Sequence, residues 1–151
     1  MNKLKDEDID FELVIAGKNP SNELKKQVSA YRNVWCTGYV KSMADELNKA
    51  SIAVAPMKSG SGMQGKILEA MSCGLPVITT SLGKGSIGAK NKDGLFIADS
   101  PEEFVDLIGR FISNKELSRN YGEKARRYIE KNHDVNSLKN KLSKIYEGVC
   151  N

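Results

Sequence analysis

Apolar residues along this chain come in short runs separated by stretches of helical spacing. Phe11-Glu12-Leu13-Val14-Ile15-Ala16-Gly17 predicts a first strand closed by a glycine turn. Pro20 opens a helix over residues 20–32 with Leu24 and Val28 inward, and residues 34–40 form a second short strand and loop. A short helix over 43–50 leads into Ile52-Ala53-Val54-Ala55-Pro56-Met57, an apolar run brief enough to be a buried strand. Gly60, Gly62 and Gly65 follow, then a helix with Ile67, Leu68 and Met71 on one face and Lys66 and Glu69 on another. Cys73-Gly74 stops that helix and Pro76-Val77-Ile78-Thr79 starts a new strand. Residues 81–94 read as a glycine-rich loop carrying Lys84, Lys90 and Lys92. Leu95 to Ala98 is a last strand. Asp99 or Ser100 then caps a helix that has Pro101 at its first position and an apolar stripe of Phe104, Leu107, Ile108 and Phe111. Further helices are predicted over 115–131 and 135–149.

Strands alternating with helices make an α/β protein: a Rossmann-like parallel sheet with helices on both faces, whose ligands collect beyond the carboxyl ends of the strands. Residues 1–10 read as a polar tail and 11–151 as one domain, long enough to bury a core. Composition adds little: 40% hydrophobic and 28% charged residues fit a soluble globular protein. A net charge of +4 suits phosphates or an anionic membrane surface without marking a nucleic-acid binder. Cys36, Cys73 and Cys150 lack metal spacing and read as free thiols in a reducing cytoplasm. No signal peptide or membrane-spanning run is expected. The D-x-D patterns within residues 6–10 fall in the polar tail rather than after a buried strand, and His133, the only histidine, has no partner spacing for a triad or a metal.

The candidate chemistry lies at the glycine cluster. Glycines let the backbone approach a ligand, and the helix that follows leaves its first amides unpaired with partial positive charge. A phosphate suits that place; a ligand-free strand-to-helix turn is the plain alternative. Gly60-Ser61-Gly62-Met63-Gln64-Gly65 matches the dinucleotide pattern G-x-G-x-x-G, but the next strand tip, Thr79-Thr80-Ser81, offers no acid for a ribose. Gly60 to Lys66 also matches G-x-x-x-x-G-K, with Asp99 as a metal-side acid, but Ile67 stands where the P-loop needs a hydroxyl.

A third template covers more residues. Lys66-Ile67-Leu68-Glu69-Ala70-Met71-Ser72-Cys73-Gly74-Leu75-Pro76-Val77-Ile78 resembles the nucleotide-sugar site of GT-B-fold retaining glycosyltransferases, the group that includes bacterial polysaccharide transferases. The resemblance runs from Phe11 to Val149 and covers the second, donor-binding domain of such enzymes. It implies that Glu69 accepts hydrogen bonds from both ribose hydroxyls of a UDP- or GDP-sugar, a task suited to an acceptor-only carboxylate. It places the backbone of Gly60, Ser61, Gly62, Met63 and Gln64, with Lys66, near the sugar and diphosphate, and Tyr39 and Val40 near the base. The family's first glutamate would fall at Ser61, which brings no charge.

The same resemblance implies hexosyl transfer with the nucleotide-sugar as substrate, no cofactor and no metal. It also implies an acceptor domain outside this chain, and a cytoplasmic protein at the inner face of a membrane. The strand and helix that open the family's domain have no match before Phe11. Without them, the resemblance implies, the strands at Phe11 and Ile52 either pair directly or are parted by a gap filled from another chain. The competing function is a Rossmann-like NAD or ATP module with no transferase role.

Overall fold

A computed structural model describes residues 10–60, 62, 64–133 and 139. Among the described residues, five strands and six α-helices follow in the order β1 (Leu13–Ala16), α1 (Asn22–Val28), β2 (Val34–Gly38), α2 (Met43–Leu47), β3 (Ala53–Ala55), α3 (Gly65–Ser72), β4 (Val77–Thr79), α4 (Ser81–Lys84), β5 (Leu95–Ile97), α5 (Pro101–Ser113) and α6 (Lys115–Asn132). All strand pairs are parallel, as the alternation requires. The expected helix over 135–149 and the D-x-D patterns involve residues outside those described.

Several boundaries differ from the sequence reading; the helix expected over 43–50, for one, ends at Leu47. The helix opened by Pro20 starts at Asn22, because Ser21 supplies the cap that proline lacks: its Oγ accepts from the Leu24 N–H at 3.1 Å. That helix ends at Val28, short of residue 32. Residues 81–94 are not one loop. They hold α4 and a 3₁₀ turn over Asn91–Asp93, because Thr80 Oγ1 accepts from Gly83 N–H and turns hydroxyl chemistry into a helix cap. At α5 it is Ser100, in a reciprocal pair with Glu103, that caps.

The main core lies on the two faces of β3-β4-β5. On one, Ile67, Ala70 and Met71 of α3 pack with Val77, Leu95 and Ala125. On the other, Ile78, Phe96 and Phe111 pack with the half-buried Phe104 and Ile108 of α5. Phe96 stands edge-on to Phe111 and to Tyr121, with ring centroids 5.0 Å apart in each pair. The apolar periodicities of α3 and α5 therefore face opposite sides of one sheet.

The sheet is divided. Among the described residues β1 pairs only with β2, and β3-β4-β5 form a separate three-stranded unit. The strands at Phe11 and Ile52 do not pair directly. A cleft of about 1790 Å³ lies between the half-sheets, lined by both β1 and β3 and flanked by α2, α3 and α5.

One close approach locks α6 onto the end of α3. A Cβ on Gly122 would meet the Gly74 carbonyl oxygen at 2.0 Å and its carbon at 2.9 Å, so main chain touches main chain. Alanine in mid-helix gains about 1 kcal/mol in propensity over glycine, but overpacking of this kind costs about 3 kcal/mol. The contact wins: Gly122→Ala should lower the urea-unfolding free energy by roughly 2 kcal/mol. Gly65→Ala, whose Cβ would have nothing within 4 Å, should leave it unchanged or raised.

Candidate functional site

The carboxyl ends of β3 and β4 are tied to each other by hydroxyls. Thr79 Oγ1, fully buried, donates to the Ala55 carbonyl at 2.8 Å, and Thr80 Oγ1 donates to the Met57 carbonyl at 2.8 Å. The chain then leaves β3 through Gly60 and Gly62, at φ 130° and 75°. Both angles are hard for a side-chain-bearing residue. Gly85 follows α4 and comes so near that a Cβ there would lie 2.5 Å from the Gly62 carbonyl oxygen. Two glycine turns thus meet at one edge of the sheet. Sequence reading missed Thr79, Thr80 and Ser81 as ties; three consecutive hydroxyls at a strand end were the available signal.

α3 begins where that turn ends. Its cap residue, Gln64, makes no side-chain capping bond, whereas Ser21, Ser42, Thr80, Ser100 and Asn114 cap the other five helices among the described residues. Ile67 and Leu68 N–H donate to the Gln64 carbonyl, which leaves the amides of Gly65 and Lys66 directed out of the helix end. Lys66 is exposed, with Nζ 3.3 Å from Met57 Sδ, a weak acceptor. Glu69, one turn on, is exposed and has no ion-pair partner among the described residues. Burial of Ile67 and Met71 at 0% exposure on the inner face fixes Lys66 and Glu69 outward. Lys66 and Glu69 line the cleft with Met57, Lys58 and Thr80.

The other expected contacts are distributed less tightly. Gly60, Gly62 and Gln64 sit at the mouth of α3, while Ser61 and Met63 lie outside the described residues. Tyr39 and Val40 follow β2 on the other half-sheet and do not line the cleft. Tyr39 is 68% exposed, with Lys18 Nζ 4.9 Å from its ring centroid. This is an open aromatic face rather than one packed over the sheet edge.

Asp99, the metal-side acid of the P-loop template, is occupied otherwise. Its Oδ1 accepts from Ser81 N–H at 2.7 Å and its Oδ2 from Ser81 Oγ at 2.5 Å. Those two bonds, the side-chain one foremost, hold its carboxyl below the ordinary 3.8. Ionised Asp99 therefore stabilises the fold above pH 3.8 and ceases to as pH falls through its lowered folded value. Asp99→Asn should flatten the acid limb of a urea-midpoint profile taken below pH 3.8; an unchanged limb would show that the Ser81 bonds do not form in solution.

Elsewhere the charges are structural. Arg126 pairs with Glu130 and Arg127 with Glu123 on the exposed face of α6, as a solvated helix face requires. Cys36 and Cys73 are free thiols. Among the described residues, no helix is long and apolar enough to cross a membrane.

Known proteins resemble this chain in sequence and fold. The chain is 30% identical over 146 residues to an uncharacterised glycosyltransferase of Methanocaldococcus jannaschii, MJ1069, a match covering 92% of this chain and 37% of that protein. It is 32% identical over 136 residues to an uncharacterised 44.6 kDa protein in the cps region of Klebsiella pneumoniae, covering 85% of this chain and 35% of that one. The chain thus spans little more than a third of these relatives. In fold it superposes on S. aureus TarM at a TM-score of 0.78, with 22% identity, over 95% of this chain and 30% of that one. It also superposes on Anabaena Alr3699/HepE, solved in complex with UDP, at a TM-score of 0.79 and 15% identity, over 91% and 41% of the two chains. The α/β architecture is therefore part of a GT-B glycosyltransferase fold. The family model for glycosyl transferases group 1 matches residues 1–114, and the chain belongs to that family.

Proposed function

We propose that this chain forms the donor-binding part of a retaining glycosyltransferase that uses a UDP- or GDP-sugar. The observation that carries this reading is the start of α3: a helix end without a side-chain cap bond after a positive-φ glycine turn, with a carboxylate one turn along that makes no ion pair among the described residues. The first amides of α3, at Gly65 and Lys66, suit a diphosphate. Glu69 can accept from two ribose hydroxyls, and the exposed ring of Tyr39 offers a stacking face for a base. UDP in the HepE structure supports a nucleotide-sugar donor. The cps-region relative and an exopolysaccharide phosphotransferase of Streptomyces coelicolor, 27% identical over 122 residues, support a role in polysaccharide synthesis.

Transfer itself needs donor and acceptor oriented in one dry cleft, which can contribute roughly 7–11 kcal/mol to lowering the barrier. Since the chain spans about a third of its relatives, we assign it binding and assign turnover to the complete enzyme. Calorimetry with UDP, GDP, ATP and NAD should show heat for a uridine or guanosine diphosphate alone, without added metal. Incubation with labelled UDP- and GDP-sugars should give no transfer to sugar or lipid-linked acceptors. Preferential binding of ATP or NAD would instead make the chain a nucleotide module of another class.

A further inference from the structure

A turn built of glycines has no side chains with which to fix itself. Among the described residues, no backbone hydrogen bond outside the helices and strands involves Gly60 or Gly62. What stands against the turn is the end of α4. Gly85 caps that helix at φ 47° and ψ −128°, a conformation that favours glycine. A Cβ there would lie 2.5 Å from the Gly62 carbonyl oxygen and 3.6 Å from its carbon. Main chain meets main chain, so the place of the Gly62 carbonyl depends on the place of Gly85.

Gly85 is itself held through α4. Asp99, just past β5, accepts from both the N–H and the Oγ of Ser81 at the start of that helix. Thr80 Oγ1 accepts from Gly83 N–H and donates to the Met57 carbonyl. A Cβ on Gly83 would collide with Thr79 Oγ1 and lie 2.9 Å from Met57 Cγ, so α4 sits directly on the ends of β3 and β4. The short helix thus carries the placement of three strand ends to Gly85, and through it to the turn.

We propose that Gly85 is a positioning residue for the diphosphate of the bound nucleotide. It touches no ligand. It sets where the turn through Gly60 and Gly62 stands relative to the first amides of α3, at Gly65 and Lys66. An anion held by main chain gains from amides and loses from a carbonyl oxygen turned toward it. Displacing the Gly62 carbonyl therefore weakens the grip on phosphate. The nearest atoms to a Cβ at 85 belong to Gly62 and Leu82, not to Glu69 or Tyr39, so the grip on ribose and base is left in place. This inference rests on the donor-binding reading above and deepens it.

The test is calorimetry on the full chain with UDP, GDP, uridine and guanosine. Gly85→Ala should bind the better of the two diphosphates at least about tenfold more weakly, while affinity for the matching nucleoside stays within about twofold. A residue that acted only on the fold would weaken both alike. Gly74→Ala controls for backbone strain. Gly74 also has a positive φ, 77°, but a Cβ there would meet only the Gly122 carbonyl at an ordinary 3.9 Å, past the far end of α3. That variant should lose stability and keep every affinity. Should Gly85→Ala show no cooperative urea transition, Ser81→Ala decides, since it frees α4 from Asp99 Oδ2 and adds no bulk. It should weaken the diphosphate about threefold and leave the nucleoside unchanged. Diphosphate affinity equal to wild type in the deciding variant overturns the positioning role and leaves donor binding standing. An equal loss for nucleoside and diphosphate overturns it too. A wild-type chain that binds neither UDP nor GDP overturns both readings together.

Discussion

Ile67→Ser should cost the fold about 4 kcal/mol, the largest stability loss expected from a single change near the site. Ile67 is fully buried between α3 and the sheet, in the cluster with Ala70, Met71, Val77 and Leu95. Serine there removes three carbon atoms from a packed core and adds a hydroxyl with few partners in reach. Loss of a buried aliphatic side chain costs about 2–5 kcal/mol, and an unpaired hydroxyl adds about 1–3. The same substitution supplies the hydroxyl that G-x-x-x-x-G-K lacks, so it separates two accounts of the loop. With Asp99 held by Ser81, a hydroxyl at 67 faces the core and has no metal to share. Urea titration should show the destabilisation, and calorimetry with ATP and Mg²⁺ should show no binding gained. Metal-dependent ATP affinity in this variant would restore the P-loop reading.

The core was legible because its periodicity is strict. The apolar faces predicted for α3 and α5 are the ones that pack on the two sides of β4, and each short apolar run became a strand. Cap chemistry was less legible. Ser21, Thr80 and Ser100 decide where helices begin, and a serine or threonine beside a glycine or proline serves a loop and a cap equally well on paper. At the site, the turn and the outward pair Lys66 and Glu69 follow from local spacing. The hydroxyl ties from Thr79 and Thr80 to Ala55 and Met57 do not, since they join residues 24 and 23 positions apart. The division of the sheet rests on pairing between distant strands, which periodicity does not encode. Only the family resemblance, through its unmatched opening strand, raised it as an outcome.

Glu69→Ala should weaken binding of the nucleoside diphosphate at least about tenfold, or ~1.4 kcal/mol. Each charge-assisted hydrogen bond from a ribose hydroxyl contributes roughly 1.5–3 kcal/mol before relaxation, so two bonds lost together leave room for compensation by water at this exposed position. Stability should change little, because Glu69 holds no ion pair and no core contact among the described residues. That separation makes the variant informative: affinity falls while the fold remains. The wild-type chain gives the most direct test of a ribose grip at α3, by calorimetric comparison of UDP with its 2′,3′-dideoxy form and of GDP with its own. The account predicts that the better-bound nucleotide loses at least about tenfold when both hydroxyls are absent, and that Glu69→Ala no longer distinguishes the two forms. Equal affinity of the wild-type chain for the hydroxylated and dideoxy nucleotides would contradict it.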